Sequence, residues 1–472
     1  MQPGLARALA LFHRVADDVP AYRAFLAEHG VDPRAVVTAD DFARLPLVTK
    51  DGYLKRHPLP ALCRGGSLLS CDTIAVSSGS TGEPTFWPRA AADEQAIATR
   101  FEQVFVDSFG ADRRSTLAVV CFPLGTWVGG MFTAACCRHL AARGLPIFTV
   151  TPGNVKAEIL RVVERLAPHF EQTVLLGYPP FLKDVVDTGL AAGTRWGDHA
   201  IKLVLAGEVI TEAWRTLMAA RAGMPRILLD SASLYGTADA GVLGSETPVS
   251  IAIRRFLADR PDDARAIFGE ARLPTLVQYD PEVRYLEEHE GTLVLTADNG
   301  VPLVRYHISD QGGVAPFDEL VARLRALGFD PLEAARAAGA TAIRALPFAH
   351  VFGRSHFAIS YFGANVFPEM VSVGLEQPDV VAGVTGKFVM EVVRDPDENV
   401  ALAIAVELAP GVAPSAALAE AVARSIHAHL RRLDPEFAAY VPPERQLPRV
   451  TLHAAGDPDH FPVGVKHRYA RR

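Results

Sequence analysis

Residues 74–88 are Ile-Ala-Val-Ser-Ser-Gly-Ser-Thr-Gly-Glu-Pro-Thr-Phe-Trp-Pro, an apolar run followed by a cluster of Ser, Gly and Thr. Its apolar start at 74–76 predicts a β-strand, and the polar cluster after it predicts a flexible loop. Glycines in such a loop let backbone N–H groups turn toward an anion, and hydroxyls add neutral donors. A solvated linker has the same composition, and the spacing matches neither a Walker loop nor a dinucleotide-binding loop. The neighbouring sequence decides between a phosphate-binding loop and a linker. The candidate phosphate-binding residues are Ser77, Ser78, Gly79, Ser80, Thr81 and Gly82.

Composition sets the class of protein. A chain of 472 residues is too long for one ordinary core, so two or three domains are expected. The formal net charge of −7 gives no general electrostatic reason to bind nucleic acid or an anionic membrane. The five cysteines form no Cys-x-x-Cys pair and are odd in number, which predicts a reducing, cytoplasmic setting.

One segment tests the expectation that the chain does not enter a membrane. Residues 117–137 carry no charge and are long enough to cross a bilayer. Proline and glycine interrupt this segment at Pro123, Gly125, Gly129 and Gly130, so a buried strand, a turn and a buried helix are expected instead. The first 20 residues lack the order of a secretion signal, and their apolar spacing predicts an amphipathic helix.

Strand and helix patterns alternate through the middle of the chain. Residues 1–70 are expected to form helices and loops that serve packing, with a helix capped by Asp40 or Asp41. Apolar runs at 117–122, 146–150, 173–176 and 201–205 alternate with helical patterns, which predicts an α/β architecture with parallel strands. Toward the end, strand patterns at 388–393, 400–408 and 449–453 surround one amphipathic helix, which predicts a compact α+β module.

Candidate ligand-binding residues follow the predicted strands, where ligands of α/β sheets bind. Tyr235 offers a flat face to a purine, and Asp239 offers an oxygen to Mg²⁺, although core packing and helix capping are the ordinary uses of these residue types. A pocket for a flat ligand is predicted from aromatic residues and glycines, which could equally be core. Its candidate members are Phe122, Trp127, Gly129, Gly130, Tyr178 and Phe181.

The loop at 77–82 resembles the phosphate-binding signature of the superfamily of acyl-CoA synthetases, adenylation domains and luciferases. Residues 19–23 (Val-Pro-Ala-Tyr-Arg), 45–51 (Leu-Pro-Leu-Val-Thr-Lys-Asp) and 365–368 (Asn-Val-Phe-Pro) are similar to its phenylacetate-CoA ligase branch. Further motifs of the superfamily match in order at 206–209, 234–239, 301–310 and 352–356. The resemblance implies a large multi-sheet N-terminal adenylating domain over 1–353, with a helical insertion near 316–346, and a small mobile α+β C-terminal domain over 354–472.

The resemblance also implies roles for single residues. The nucleotide would lie against Gly207, Glu208, Tyr235, Gly236, Asp310 and Arg354. Asp239 would hold Mg²⁺, His356 would lie in the hinge, and Lys466 would be the catalytic lysine of adenylation. The chain departs from the superfamily's pattern at Glu83, Ala238, Asp239 and His356, where relatives carry lysine, a hydroxyl residue, glutamate and aspartate.

The implied activity is the ATP-dependent activation of a carboxylic acid through an acyl-adenylate, with coenzyme A as the expected acceptor. The predicted pocket for a flat ligand would then be the acid pocket. An amine, a carrier-protein thiol or another acceptor such as nitrite remain alternatives, as does a degenerate nucleotide-binding module. The expected cofactors are ATP, Mg²⁺ and coenzyme A. The expected partner is a small-molecule acid, and a carrier protein or a second copy of the chain are left open.

Overall fold

The structure, a computed structural model, describes residues 4–76, 85–126, 128–354, 359–362, 364–394, 400–434, 437–438, 441–462 and 469–470. These residues form a mixed α/β protein, as predicted, with an 11-stranded sheet, a 3-stranded sheet in the C-terminal region and two 2-stranded sheets. The helices are α1 Leu5–Asp18, α2 Pro20–Glu28, α3 Ala39–Ala43, α4 Ala91–Glu102, α5 Val128–Ala142, α6 Lys156–Leu166, α7 Pro179–Ala191, α8 Glu212–Ala222, α9 Pro248–Leu257, α10 Pro261–Phe268, α11 Phe317–Ala326, α12 Pro331–Ala337, α13 Pro368–Leu375 and α14 Ala416–Leu433. The strands are β1 Thr73–Val76, β2 Phe86–Arg89, β3 Thr116–Val120, β4 Ile147–Val150, β5 Gln172–Gly177, β6 Ile201–Ala206, β7 Ser231–Thr237, β8 Gly241–Ser245, β9 Thr275–Gln278, β10 Arg284–His289, β11 Thr292–Ala297, β12 Leu303–Ala315, β13 Phe348–Arg354, β14 Ile359–Tyr361, β15 Ala364–Val366, β16 Val384–Arg394, β17 Val400–Leu408 and β18 Arg449–His453.

The large sheet has the order β10-β11-β12-β13-β9-β8-β7-β6-β5-β3-β4. Strands β3 to β7 are parallel, which confirms the predicted alternation of strands and helices. The six neighbouring pairs that lie between β7 and β10 in the sheet order are antiparallel. The alternation of strands and helices did not predict this antiparallel part of the sheet. Residues of β7 and β12 touch although four positions separate these strands in the sheet order, so the sheet curves back on itself there.

The uncharged segment at 117–137 divides as expected. Its first part lies in the buried strand β3, and its last part lies in α5, which buries Phe132, Cys136 and Cys137. Across the described residues, no helix has both the length and the apolarity needed to cross a membrane. All five cysteines are free.

The N-terminal helices pack on the antiparallel half of the sheet. Helix α1 buries its apolar face, including Phe12 and Val15, as the spacing predicted. The predicted cap of α3 was wrong: Thr38 is the N-cap, and Asp41 completes a capping box from inside the helix. After α3, the backbone of Val48 makes two hydrogen bonds to β12. Its N–H donates to the backbone oxygen of Arg305 at 3.1 Å, and its oxygen accepts from the N–H of His307 at 2.8 Å.

The C-terminal region has a core of its own. Strands β16 and β17 pair antiparallel, β18 joins β17 in parallel, and α13 and α14 cover them. The buried apolar cluster here draws only on residues from 359 onward. In the predicted insertion, α11 and α12 pack against α9 and α10, with Phe329 stacked on Phe256 at a centroid distance of 4.2 Å.

Candidate active site

Two tyrosine–aspartate hydrogen bonds join the motifs at 234–239 and 301–310. The Tyr235 hydroxyl on β7 donates to Asp310 Oδ2 on β12 at 2.8 Å. In the opposite direction, the Tyr306 hydroxyl on β12 donates to Asp239 Oδ2, in the turn after β7, at 2.6 Å. All four residues are buried. The folded chain therefore brings the predicted adenine, ribose and magnesium residues together in one place.

The backbone is irregular where these side chains meet. Arg305 and Ser309 both have left-handed backbones, with φ values of 47° and 65°, and the β11–β12 register shifts there. The β7–β8 register shifts at Gly236, where a Cβ would lie 2.9 Å from the oxygen of Gly241. Bulges of this kind re-aim side chains, and strained residues of this kind cluster at functional sites.

A hairpin of β1 and β2 flanks the predicted phosphate-binding loop. On one side of the loop, the Val76 N–H donates to the oxygen of Thr126 at 2.8 Å, beside the predicted acid pocket. On the other side, the buried Arg89 donates to the oxygen of Ala238 at 2.5 Å. The two strands that flank this stretch thereby contact Thr126 on one side and the turn that carries Asp239 on the other.

A lysine from the N-terminal region also reaches this turn. Lys50 Nζ lies 3.5 Å from Asp239 Oδ1, and Asp239 is 3% exposed. The Oδ1 atom therefore already faces positive charge, while Oδ2 is held by Tyr306. A single carboxylate suits Mg²⁺, because this ion takes its other ligands from waters and substrate phosphates. Asp239 can supply such a ligand, and Mg²⁺ bound at Oδ1 would take the place that the Lys50 ammonium now occupies.

Four of the predicted acid-pocket residues, Phe122, Gly129, Gly130 and Tyr178, lie side by side, and Gly207 of the predicted adenine loop packs against Tyr178. Gly207 has φ +88°, and a Cβ there would lie 2.7 Å from Tyr178 Cε1. Tyr178 meets Phe122 edge-on at a centroid distance of 5.0 Å, and a Cβ on Gly129 would lie 3.6 Å from Phe122. A Cβ on Gly130 would lie 2.3 Å from a backbone oxygen, so only glycine fits there. Backbone and aromatic rings are therefore packed together in one cluster.

The end of the chain contacts the predicted adenine loop. The Tyr469 hydroxyl donates to Glu208 Oε2 at 2.5 Å, and the backbone oxygen of Tyr469 accepts from the N–H of Met390 on β16. Burial and the nearby Glu208 raise the pKa of Tyr469 well above its usual range, so the hydroxyl keeps its proton. Burial also raises the pKa of Tyr178, with a smaller contribution from Glu208.

Further contacts join the C-terminal region to the rest of the chain. Lys387 Nζ on β16 lies 2.6 Å from Asp184 Oδ2 on α7. The Thr211 hydroxyl, at the start of α8, donates to Glu376 after α13, and burial raises the pKa of Glu376 to about 8. Arg272 lies over the ring of Phe367 at 3.8 Å.

The remaining predicted residues have other placements. The backbone of Arg354 pairs with Asp310 at the end of β13, and Phe181 packs against the cluster under α6 and α8 rather than with Phe122. The predicted residues Ser77 to Gly82, together with Glu83, Trp127, His356 and Lys466, lie outside the described residues. Lys50, Tyr306 and Tyr469 were not predicted, although the first two lie inside the motifs at 45–51 and 301–310.

Comparison with known proteins identifies relatives, although no family model matches the chain. The chain is 23% identical over 362 residues to the phenylacetate-coenzyme A ligase of Aromatoleum evansii, covering 75% of this chain and 70% of that one. It is 24% identical over 373 residues to the enzyme of the same name from Thermus thermophilus, covering 78% and 73%.

Among solved structures, the chain superposes on 2-hydroxyisobutyryl-CoA ligase in its postadenylation state, in complex with R3-HIB-AMP, with a TM-score of 0.70. The two chains are 16% identical, and the superposition covers 100% of this chain and 90% of that one. The same enzyme in its thioesterification state, in complex with 2-HIB-AMP and CoA, superposes over the same shares with a TM-score of 0.54. The resemblance to the phenylacetate-CoA ligase branch is thus confirmed, and the chain has the fold of the acyl-adenylate-forming ligases.

Proposed function

We propose that this chain is an AMP-forming acid:CoA ligase. In the first step an oxygen of the substrate carboxylate attacks the α-phosphorus of ATP, and pyrophosphate leaves with the bridging oxygen. In the second step the sulfur of coenzyme A attacks the carbonyl carbon, and AMP leaves. The observation that carries this proposal is the convergence of Tyr235, Asp239, Tyr306 and Asp310 through two hydrogen bonds, since it joins the two nucleotide motifs in one site.

The nucleoside would be held by Asp310 and Tyr235. A carboxylate can accept hydrogen bonds from both vicinal hydroxyls of a ribose, which suits Asp310. The hydroxyl of Tyr235 already donates to this carboxylate and fixes its orientation before substrate binds. The Tyr235 ring would offer its face to the adenine, and Arg354, whose backbone pairs with Asp310, would contact the nucleotide from β13.

The phosphates would be bound by the loop at 77–82, by Lys50 and by Asp239 through magnesium. Mg²⁺ would neutralise phosphate charge when bound. Tyr306 holds Asp239 in place, and Lys50 is the cation that lies beside it. Lys50 would thereby offset the positive charge that is missing at Glu83, where relatives carry lysine.

The substrate acid would lie against Phe122 and Tyr178. Aromatic side chains favour a flat acid, and Gly207 lets the backbone approach the Tyr178 ring closely. An aryl or similarly flat carboxylic acid is therefore the proposed substrate class.

The arrangement of the C-terminal region supports the adenylation step. Tyr469 contacts Glu208 and lies three residues after Lys466, a span of at most about 10 Å in an extended chain. Lys466 would stabilise the charge that develops at the attacking carboxylate. The higher TM-score with the postadenylation state supports the same arrangement. For the second step, residues 354–472 would rotate as one domain about the hinge near His356.

The test is pyrophosphate release from ATP and Mg²⁺ across aryl, heteroaryl and aliphatic acids, with and without coenzyme A, with products identified by mass. Acid-dependent release that yields an acyl-CoA and AMP is expected. An Asp310→Asn variant, which keeps the shape of the side chain, should raise the KM for ATP more than the KM for the acid. ATP binding without acid-dependent release would overturn the proposal, and release that yields only adenylate would move the acceptor to an amine or a carrier protein.

A further inference from the structure

Three potential metal ligands meet in the turn that follows β18. His453 ends this strand, and Asp457 and His460 lie in the turn. Each residue offers one ligand atom, and these three atoms lie within 4.8 Å of one another. His453 Nδ1 lies 3.5 Å from Asp457 Oδ2, and His460 Nδ1 lies 3.3 Å from Asp457 Oδ1. The two imidazole rings lie 3.9 Å apart between centroids.

The backbone holds these side chains together. Asp457 Oδ1 accepts from the N–H groups of Asp459 and His460, both at 3.0 Å, which closes the turn over β18. The Phe461 N–H donates to the Asp457 oxygen at 2.7 Å. At the other end of the turn, the Gly456 N–H donates to Glu407 Oε1 at 2.7 Å. The cluster is therefore part of a closed turn and not three side chains that meet by chance on a surface.

Hydrogen bonding explains only part of the cluster. His460 Nδ1 hydrogen-bonds Asp457 Oδ1 at 3.3 Å, and His453 Nδ1 lies 3.5 Å from Asp457 Oδ2, beyond the usual range for a hydrogen bond to an ionised group. Two protonated rings at 3.9 Å would repel each other. A cation between these donors would satisfy all three residues.

We propose that His453, Asp457 and His460 bind one divalent transition-metal ion of the zinc class. Zinc takes imidazole nitrogens at about 2.0–2.1 Å and carboxylate oxygens at about 2.0–2.2 Å, so its tetrahedral ligand atoms lie about 3.4 Å apart. The three donor atoms lie within 4.8 Å of one another, so side-chain movements of about 1–1.5 Å would bring them onto one ion, with water in the remaining position. Two nitrogens and one oxygen favour Zn²⁺, Co²⁺ or Ni²⁺ over Mg²⁺ or Ca²⁺.

Thr451 supports this assignment from outside the cluster. Its hydroxyl lies 3.1 Å from Nε2 of His453, the nitrogen that faces away from Asp457. Metal-binding histidines typically donate their second N–H to such an oxygen, which fixes the tautomer and the orientation of the ring. Accepting this proton leaves Nδ1 free to bind the ion. The bound metal would tie the end of β18 to the chain that leads toward residue 466.

The test is zinc binding to tag-free, full-length protein that has been stripped with a chelator. Calorimetric titration should give one Zn²⁺ per chain in the wild type, and Co²⁺ should give the visible absorption bands of a site with nitrogen and oxygen ligands. His453→Ala and His460→Ala should each lose this site, and Thr451→Val should weaken it by about tenfold or more. Thermal unfolding in chelator should be unchanged in these variants, which separates loss of binding from loss of folding.

The matched control is His429→Ala, because the His429 ring contacts only the oxygen of Ser425 on its own helix among the described hydrogen bonds. This variant should bind zinc as the wild type does. Absence of stoichiometric binding to the wild type would overturn the proposal. Binding that survives both His453→Ala and His460→Ala would also overturn it, since the ion would then lie elsewhere.

Discussion

Replacing Gly207 with alanine should disturb the acid pocket through one ring. The new Cβ would lie 2.7 Å from Cε1 and 2.9 Å from Cδ1 of Tyr178, while carbon atoms normally approach to about 3.5–4.0 Å. The Tyr178 ring must therefore move by about 1 Å. Because this ring packs edge-on against Phe122, the movement passes to a second wall of the pocket.

The backbone effect and the side-chain effect can be separated. Gly207 has φ +88°, and alanine in a left-handed conformation costs about 1–2 kcal/mol. Gly193 also has φ +88°, but nothing lies within 4 Å of its Cβ position, so Gly193→Ala bears the strain alone. Overpacking typically costs about 1–3 kcal/mol, and this is the excess expected for Gly207→Ala.

The assay is denaturant unfolding together with acid-dependent pyrophosphate release. Both variants should lose stability, with the larger loss in Gly207→Ala. Only Gly207→Ala should raise the KM for the acid, with a fall in kcat/KM of up to about 100-fold, because misplacement by about 1 Å has effects of this size. Equal stability and equal acid KM in the two variants would refute the contact between Gly207 and Tyr178 as a determinant of the pocket.

Three further substitutions test other contacts. Tyr306→Phe removes a 2.6 Å hydrogen bond to the Asp239 carboxylate. Losing a hydrogen bond to a charged group costs about 1.5–3 kcal/mol, so kcat/KM for ATP should fall by at least about tenfold. An unchanged kcat/KM for ATP would show that Asp239 has no role in nucleotide binding. Glu376 has a pKa of about 8 in the folded chain, above its usual 4.5, so the stability of the wild type should fall as pH rises between these values. The unfolding temperature of Glu376→Gln should fall less steeply over the same range. Equal slopes of unfolding temperature against pH in the two proteins would contradict this. Lys466→Ala should abolish adenylate formation while leaving the reaction of supplied acyl-adenylate with coenzyme A largely intact, and equal loss of both steps would remove Lys466 from its role.

Local sequence patterns predicted much of the fold. The bounds predicted for β17 and β18, at 400–408 and 449–453, agree with the structure because their apolar residues mark strands on their own. Strands β8 and β9 were missed. The first contains two glycines, the second has four residues, and both are defined by partners that come from elsewhere in the chain. Sheet order depends on such distant pairing, which no local pattern contains.

The candidate site was predicted in its parts and not in its connections. The motifs named Tyr235, Asp239 and Asp310, but the hydrogen bonds that join them cross a curved sheet. Residues 1–70 were expected to serve packing only, yet Lys50 lies beside Asp239 because Val48 pairs with β12. Its position follows from a contact across more than 250 residues of sequence, which spacing cannot predict.

The contacts of the C-terminal region suit the domain rotation that we propose. Three carboxylates, those of Glu208, Glu369 and Glu376, lie where this region meets the rest of the chain. Burial raises the pKa of Glu369 and Glu376, so desolvation of these carboxyls opposes docking. Arg272, 3.6 Å from Glu369, and the hydroxyl partners of the other two offset this cost in part. Desolvation and these contacts therefore act in opposite directions, and the domain rotation that we propose would require that neither position be strongly favoured.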